Sequence, residues 1–218
     1  MNIKSFGCSF IFGSELADDG RHTPFATPSK LTWPALFAVD IGYNYNCYAR
    51  PGAGNLQIME RALSHAATNE SALYIIGWTC IDRFDYTNPA NDKWATLRPT
   101  DTTDTANVYY RDLHSEYRDK LSTLVYIRLV IDTLIQKKYP FIMTYMDELM
   151  FDKRWHTTPA VTDLQDYIQP YMTTFEGKSF LHWSLDQGFA ISDKLHPLEH
   201  AHAAAAKYIQ SFYNPTAI

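Results

Sequence analysis

Apolar positions along the chain fall into two rhythms, and their alternation sets the expected architecture. Ile3 to Phe10 reads as a short first strand that runs directly into Gly7-Cys8-Ser9. The following stretch, Phe10 to Ser29, is rich in Gly, Asp, Thr and Pro and predicts a loop. Leu31 to Val39 has helical spacing, with Thr32 as N-cap and Pro34 in the first turn. Ile41 to Ala49 alternates and predicts a second strand, which stops at the breaker cluster Arg50-Pro51-Gly52-Ala53-Gly54-Asn55. Leu56, Met59, Ala62, Leu63 and Ala66 mark a helix over 56–67. The unbroken apolar run Ala72 to Trp78 has the character of a strand buried on both faces.

From Tyr86 to about Tyr109 the pattern turns polar and irregular, predicting an insertion at about 86–110 that lies over a site mouth. A long amphipathic helix follows over 112–136, then a buried strand over 139–145 and a loop over 146–159. A short helix is expected over 160–171 and a last short strand over Phe180–Trp183. The chain should close with a helix opened by His196-Pro197 and running to about Tyr213. Strands alternating with helices predict an α/β fold with a parallel sheet covered on both faces. The 218 residues suffice for one core, and no linker divides them, so a single domain over 1–218 is expected.

Composition narrows the function classes. Hydrophobic residues make up 46% and charged residues 20%, with a formal net charge of -5. That balance gives no nucleic-acid footprint. No apolar run approaches the roughly 18 residues of a membrane span, and Met1-Asn2-Ile3-Lys4 lacks a signal-peptide core. Cys8, Cys47 and Cys80 are odd in number and scattered, which fits a reducing, cytoplasmic setting without disulfide or zinc framework.

The chemistry-bearing residues sit at the two chain ends. A serine needs a neighbouring base to take its proton, and that base must be held in the right tautomer. Ser9 follows the first strand, while Asp193 and His196 stand three residues apart before the last helix. That spacing would let the Asp193 carboxylate reach Nδ1 of His196 across one turn, leaving Nε2 for Ser9. Alternatives to this reading are a turn role for Ser9 and a capping role for Asp193. His196-Pro197-Leu198-Glu199-His200 also spells a zinc-protease pattern, but residues 201–218 contain no Asp or Glu to complete a metal site. Neither a P-loop nor a dinucleotide glycine pattern is present, and Ile11 replaces the second glycine of a nucleophile elbow. Cys8 is expected to be a small buried thiol pointing away from Ser9.

Four blocks in order, Gly7-Cys8-Ser9, Pro51-Gly52-Ala53-Gly54-Asn55, Gly77-Trp78-Thr79 and Asp193-Lys194-Leu195-His196, resemble those of the SGNH (GDSL-type) hydrolases. The resemblance spans nearly the whole chain. It implies a three-layer α/β/α, flavodoxin-like fold and a serine esterase that forms an acyl-enzyme without metal or organic cofactor. Ser9 would be the nucleophile, His196 the acid/base and Asp193 its orienting partner. The oxyanion hole would comprise the N–H groups of Ser9 and Gly52 plus a side chain.

Two departures bear on that hole. Cys8 stands where the family has aspartate, and Thr79 where it has an asparagine whose amide is an oxyanion donor. Losing one such donor costs about 10²–10³-fold in rate. Asn55, favoured, or Thr79 would replace it. Trp78 and Arg83 are candidate substrate contacts, although a structural salt bridge also suits Arg83. The expected substrate is a small-molecule or glycan ester, for example a carbohydrate O-acetyl group. A glycan-binding module without catalysis, and an acyltransferase using the same residues, are the competing functions.

Overall fold

The computed structural model describes residues 1–20 and 27–213. Residues 21–26 of the expected first loop, and residues 214–218, lie outside the described residues. Four strands, β1 (Asn2–Gly7), β2 (Asn44–Cys47), β3 (Leu73–Trp78) and β6 (Phe141–Tyr145), form a parallel sheet in the order β2-β1-β3-β6. Between β3 and β6, β4 (Phe84–Asn88) and β5 (Lys93–Leu97) make a separate antiparallel hairpin. The helices are α1 (Ser9–Phe12), α2 (Trp33–Asp40), α3 (Asn55–Ala67), α4 (Asp104–Val108), α5 (Glu116–Gln136), α6 (Pro159–Ile168), α7 (Phe180–Asp186) and α8 (Glu199–Phe212).

Every residue of β3 is buried, which explains its unbroken apolar sequence. Side chains alternate across the sheet, so the strands feed two cores. Phe6, Tyr74, Ile76 and Trp78 pack with Ile58 of α3, Ile127 and Ile131 of α5, and Ile168 of α6. Ile3, Leu73 and Ile75 pack on the opposite face with Phe37 of α2, Trp183 of α7 and Ile209 of α8. The result is the three-layer α/β/α arrangement. Because β1 leads outward to β2 and the chain then returns to β3 on the other side, the topological switch lies between β1 and β3. In open α/β sheets, ligands bind at the carboxyl ends of strands at such a point.

Several elements differ from the sequence expectation. The first part of the stretch expected to be irregular from Tyr86 instead belongs to the β4–β5 hairpin, which begins at Phe84. The hairpin is joined to the body by Asp85, whose carboxylate accepts from the N–H groups of Gly54 and Gln57, each at 2.9 Å. Asp85 also accepts from Gln57 Nε2 and the Thr96 hydroxyl. A carboxylate at the N-terminus of α3 satisfies unpaired amides and meets the positive end of the helix dipole. The helix expected from 112 begins instead at Glu116, capped by the Ser115 hydroxyl, after a π-helical turn over Tyr109–Leu113. Phe180–Trp183 is helical rather than extended, because the Ser179 hydroxyl accepts the His182 N–H as an N-cap. Pro197 does not open the last helix. It bridges to Ile191, and α8 starts two residues later.

Candidate functional site

Ser9 is set at the end of β1 by a platform of two glycines. Gly7 and Gly77 are paired across β1 and β3. A Cβ on either would lie 2.5–2.6 Å from Ile11 Cγ1, so only glycine lets α1 fold back onto the sheet. Ile11 and Phe12 donate to the Cys8 carbonyl, which starts the short helix at once. Ser9, at its first position, is nearly buried. The strand ends before Cys8, so the expected opposition of the two side chains does not occur. Cys8 Sγ lies 4.0 Å from Ser9 Oγ and 3.3 Å from Met146 Sδ, and the thiol is fully buried.

His196 reaches the same edge from the other end of the chain. Its ring packs edge-on against Phe10, with centroids 5.4 Å apart, one residue from Ser9. The turn before it is closed by the Ser192 N–H donating to the His196 carbonyl at 2.9 Å. The His196 N–H in turn donates to Ser192 Oγ at 3.1 Å. Among the described residues no hydrogen bond joins Ser9 to His196; Ser9 Oγ is directed at Cys8 Sγ.

The carboxylate at Nδ1 of His196 is Glu15, with Oε2 at 2.6 Å. The Ser192 hydroxyl donates to the same oxygen. These two hydrogen bonds, in that order, hold the Glu15 carboxyl below its usual value of 4.5. Glu15 has φ 72° and Leu195 φ 63°, left-handed backbone that costs non-glycine residues energy and gathers at functional sites. Asp193, the expected partner, lies exposed at the tip of the Ser192–His196 turn. The expectation assumed a helical turn over 193–196, and the chain does not form one there. Nor do His196 and His200 share a helix, so the zinc-protease spacing is not realised in three dimensions. Among the described residues, no group of three or more His, Cys, Asp or Glu is placed to hold a metal ion.

The other expected residues separate into two sets. Gly52, in the turn after β2, has φ 79° and open space around it, with Arg98 Nη1 3.9 Å from where a Cβ would stand. Arg83 donates through Nη1 to the Ala53 carbonyl at 3.1 Å in the same turn. Asn55 is not free to swing toward Ser9. Its Oδ1 accepts the Thr79 N–H at 2.9 Å, and its Nδ2 donates to the Thr79 carbonyl at 3.1 Å. Further contacts run to the Cys80 carbonyl and Thr123 Oγ1. The amide thus ties α3 to the end of β3. Thr79 is fully buried and its hydroxyl is directed at Met146 Sδ, 3.8 Å away. Trp78 is fully buried in the core and cannot touch a substrate.

Beside β3 and β6 a cavity of about 390 Å³ opens between Ile81, Asp82, Tyr110, His114, Asp147 and Trp155. The Tyr110 hydroxyl lies on the carbonyls of Asp82 at 2.7 Å and Leu97 at 2.9 Å, fastening the inserted segment to the cavity wall. No helix among the described residues is long and apolar enough to cross a membrane.

No protein-family model and no curated protein sequence matches this chain. Solved structures do. A member of the lipolytic G-D-S-L family from Veillonella parvula aligns over 98% of this chain and 98% of its own, with TM-score 0.54 and 15% identity. The acetyl xylan esterase Est2A from Butyrivibrio proteoclasticus aligns over 97% of this chain at TM-score 0.52 and 15% identity; the match spans 62% of that longer chain. The esterase EstA from Pseudoalteromonas sp. aligns over 96% of this chain and 94% of its own, at TM-score 0.52 and 10% identity. At these identities the likeness is one of fold: this chain has the flavodoxin-like α/β/α architecture of those proteins.

Proposed function

We propose that this protein is a serine esterase that cleaves a small acyl ester through an acyl-enzyme. The observation that carries the reading is the Glu15–His196 pair, packed against Phe10 beside Ser9 at the carboxyl end of β1. A carboxylate on Nδ1 fixes the tautomer in which Nε2 is the base, as a serine nucleophile requires. The four blocks that resemble the SGNH hydrolases, and the fold shared with a lipolytic G-D-S-L family member and two esterases, support the same reading.

In the first half-reaction, Ser9 Oγ attacks the acyl carbon and its proton passes to His196 Nε2. Glu15 and Ser192 hold the imidazolium in place. The tetrahedral oxyanion is met by the N–H groups of Ser9 and Gly52. Collapse expels the alcohol, which leaves with the proton from His196. A water then repeats the sequence on the acyl-enzyme, releasing the acid and restoring Ser9. Glu15 takes the orienting role that the sequence alone had given to Asp193.

The substrate class we favour is a carbohydrate O-acetyl ester. The name of the Butyrivibrio neighbour carries such an activity, and Tyr110 and Trp155 give the cavity beyond the carboxyl ends of β3 and β6 aromatic walls suited to a sugar face. A series of p-nitrophenyl esters from acetate to palmitate, run beside acetylated xylan oligosaccharides, tests this. Acetate should be turned over fastest, and Ser9→Ala should lower kcat by about 10⁴-fold or more. Undiminished turnover by Ser9→Ala would overturn the assignment.

A further inference from the structure

We infer that Arg83 is the third oxyanion donor, its guanidinium standing in for the asparagine amide that position 79 lacks. The inference rests on the esterase reading above and deepens it. The two other side chains that the sequence offers for the missing donor are both engaged. The Asn55 amide is spent on the Thr79 and Cys80 carbonyls, and the Thr79 hydroxyl faces Met146 Sδ.

Arg83, four residues beyond Thr79, returns to the same edge. One nitrogen is anchored 3.1 Å from the Ala53 carbonyl, next to Gly52. The guanidinium also lies beside Cys8, whose Sγ is 4.0 Å from Ser9 Oγ. The group therefore sits between the turn carrying Gly52 and the residue preceding Ser9. Among the described residues Ala53's is the only protein oxygen that accepts from it; its other partner is the Cys8 sulfur, a weak acceptor that a ligand oxygen can displace.

Charge favours the role. Burial lowers the Arg83 pKa, but Cys8, Cys80 and Asp82 outweigh that effect and keep the group fully protonated. Asp82, the preceding residue, has its own pKa raised by burial and by Asp147 against the opposing pull of Arg83, and it makes no ion pair with the guanidinium among the described residues. The two departures from the family pattern then fit together. An aspartate at position 8 would hold the guanidinium in a full ion pair, a stronger partner than the Cys8 sulfur that stands beside it here. No bond is made or broken at Arg83. It donates hydrogen bonds to the oxygen that gains negative charge as Ser9 attacks.

The test compares wild type, Ser9→Ala, Arg83→Met and Arg83→Ala on p-nitrophenyl acetate, with melting temperatures measured alongside. Methionine keeps the packing of the stem and removes every donor. The expected result is a fall in kcat of about 10²–10³-fold in Arg83→Met at a KM within threefold of wild type. Millimolar guanidinium should restore part of the lost kcat to Arg83→Ala. If Arg83→Met proves unfolded, the guanidinium response of Arg83→Ala decides. Wild-type kcat in Arg83→Met, a loss confined to KM, or no guanidinium response in a folded Arg83→Ala would overturn the inference while Ser9-dependent turnover upholds the esterase. Absence of Ser9-dependent turnover in the wild type would overturn both.

Discussion

Nδ1 of His196 and Oε2 of Glu15 lie 2.6 Å apart across 181 residues of sequence. That contact joins the loop after the first strand to the turn before the last helix, and it fixes which carboxylate orients the base. Glu15→Gln should lower kcat by about 10²–10⁴-fold, because an amide holds the imidazole less firmly in the tautomer with Nε2 free. Asp193→Ala, at an exposed turn tip, should stay within threefold of wild type. Steady-state kinetics of the two variants side by side check the assignment.

The same pair makes stability depend on acidity. The folded-state pKa of Glu15 is lowered, first by the hydrogen bond from His196 and then by that from Ser192. A depressed carboxyl contributes stability that is complete above its unfolded value, near 4.5, and is lost as pH falls through the lower folded value. The stability difference between wild type and Glu15→Gln should therefore be largest at neutral pH and shrink below pH 4.5. Urea unfolding of both proteins at pH 7 and pH 3.5 measures it.

His202 supplies a second acid-sensitive element at higher pH. It is fully buried in α8 and accepts the Trp33 N–H at Nδ1, 3.0 Å away. Burial, aided by His196, pushes its pKa down from 6.5 to about 3. Below 6.5 the unfolded chain binds a proton that the folded protein refuses, so stability falls as pH drops. The slope from this group approaches about 1.4 kcal/mol per pH unit. His202→Asn, which retains an acceptor for Trp33, should flatten the decline between pH 6.5 and 5. Equal slopes for the two proteins in urea titrations would count against it.

Asn55 is a tie between elements rather than a donor to substrate. Replacing it by alanine strands the buried Thr79 N–H and carbonyl, at a cost of about 1–3 kcal/mol. The folded fraction should nevertheless turn over ester with kcat within threefold of wild type. Denaturant unfolding and kinetics on the same preparation separate the two effects. A large loss of kcat at unchanged stability would restore Asn55 to the oxyanion hole.

The fold was legible wherever burial was two-sided. Ala72–Trp78 announces an interior strand by its unbroken apolar run and Tyr139–Tyr145 by a run that only Thr144 interrupts, and β3 and β6 are where those runs stand. The β4–β5 hairpin escaped because its five-residue strands carry Asp85 and Thr96 on a buried, polar face, which erases the alternation that marks a strand. Phe180–Trp183 is too short for its period to be read, and only the cap at Ser179 distinguishes it as a helix. Within the candidate site, Ser9 and His196 stood out through the residues around them. Glu15 did not, since no spacing rule links a loop glutamate to a histidine near the other end of the chain. Its placement depends on the backbone turn at φ 72°, which side-chain pattern does not reveal.

The central claim is that Ser9 is an activated nucleophile, and a fluorophosphonate probe addresses it most directly. Intact-mass and peptide analysis after labelling should find one phosphonyl adduct per chain, carried by Ser9, formed slowly in Glu15→Gln and absent in Ser9→Ala. A folded wild-type protein that takes no label, or takes it on another residue, would contradict the account.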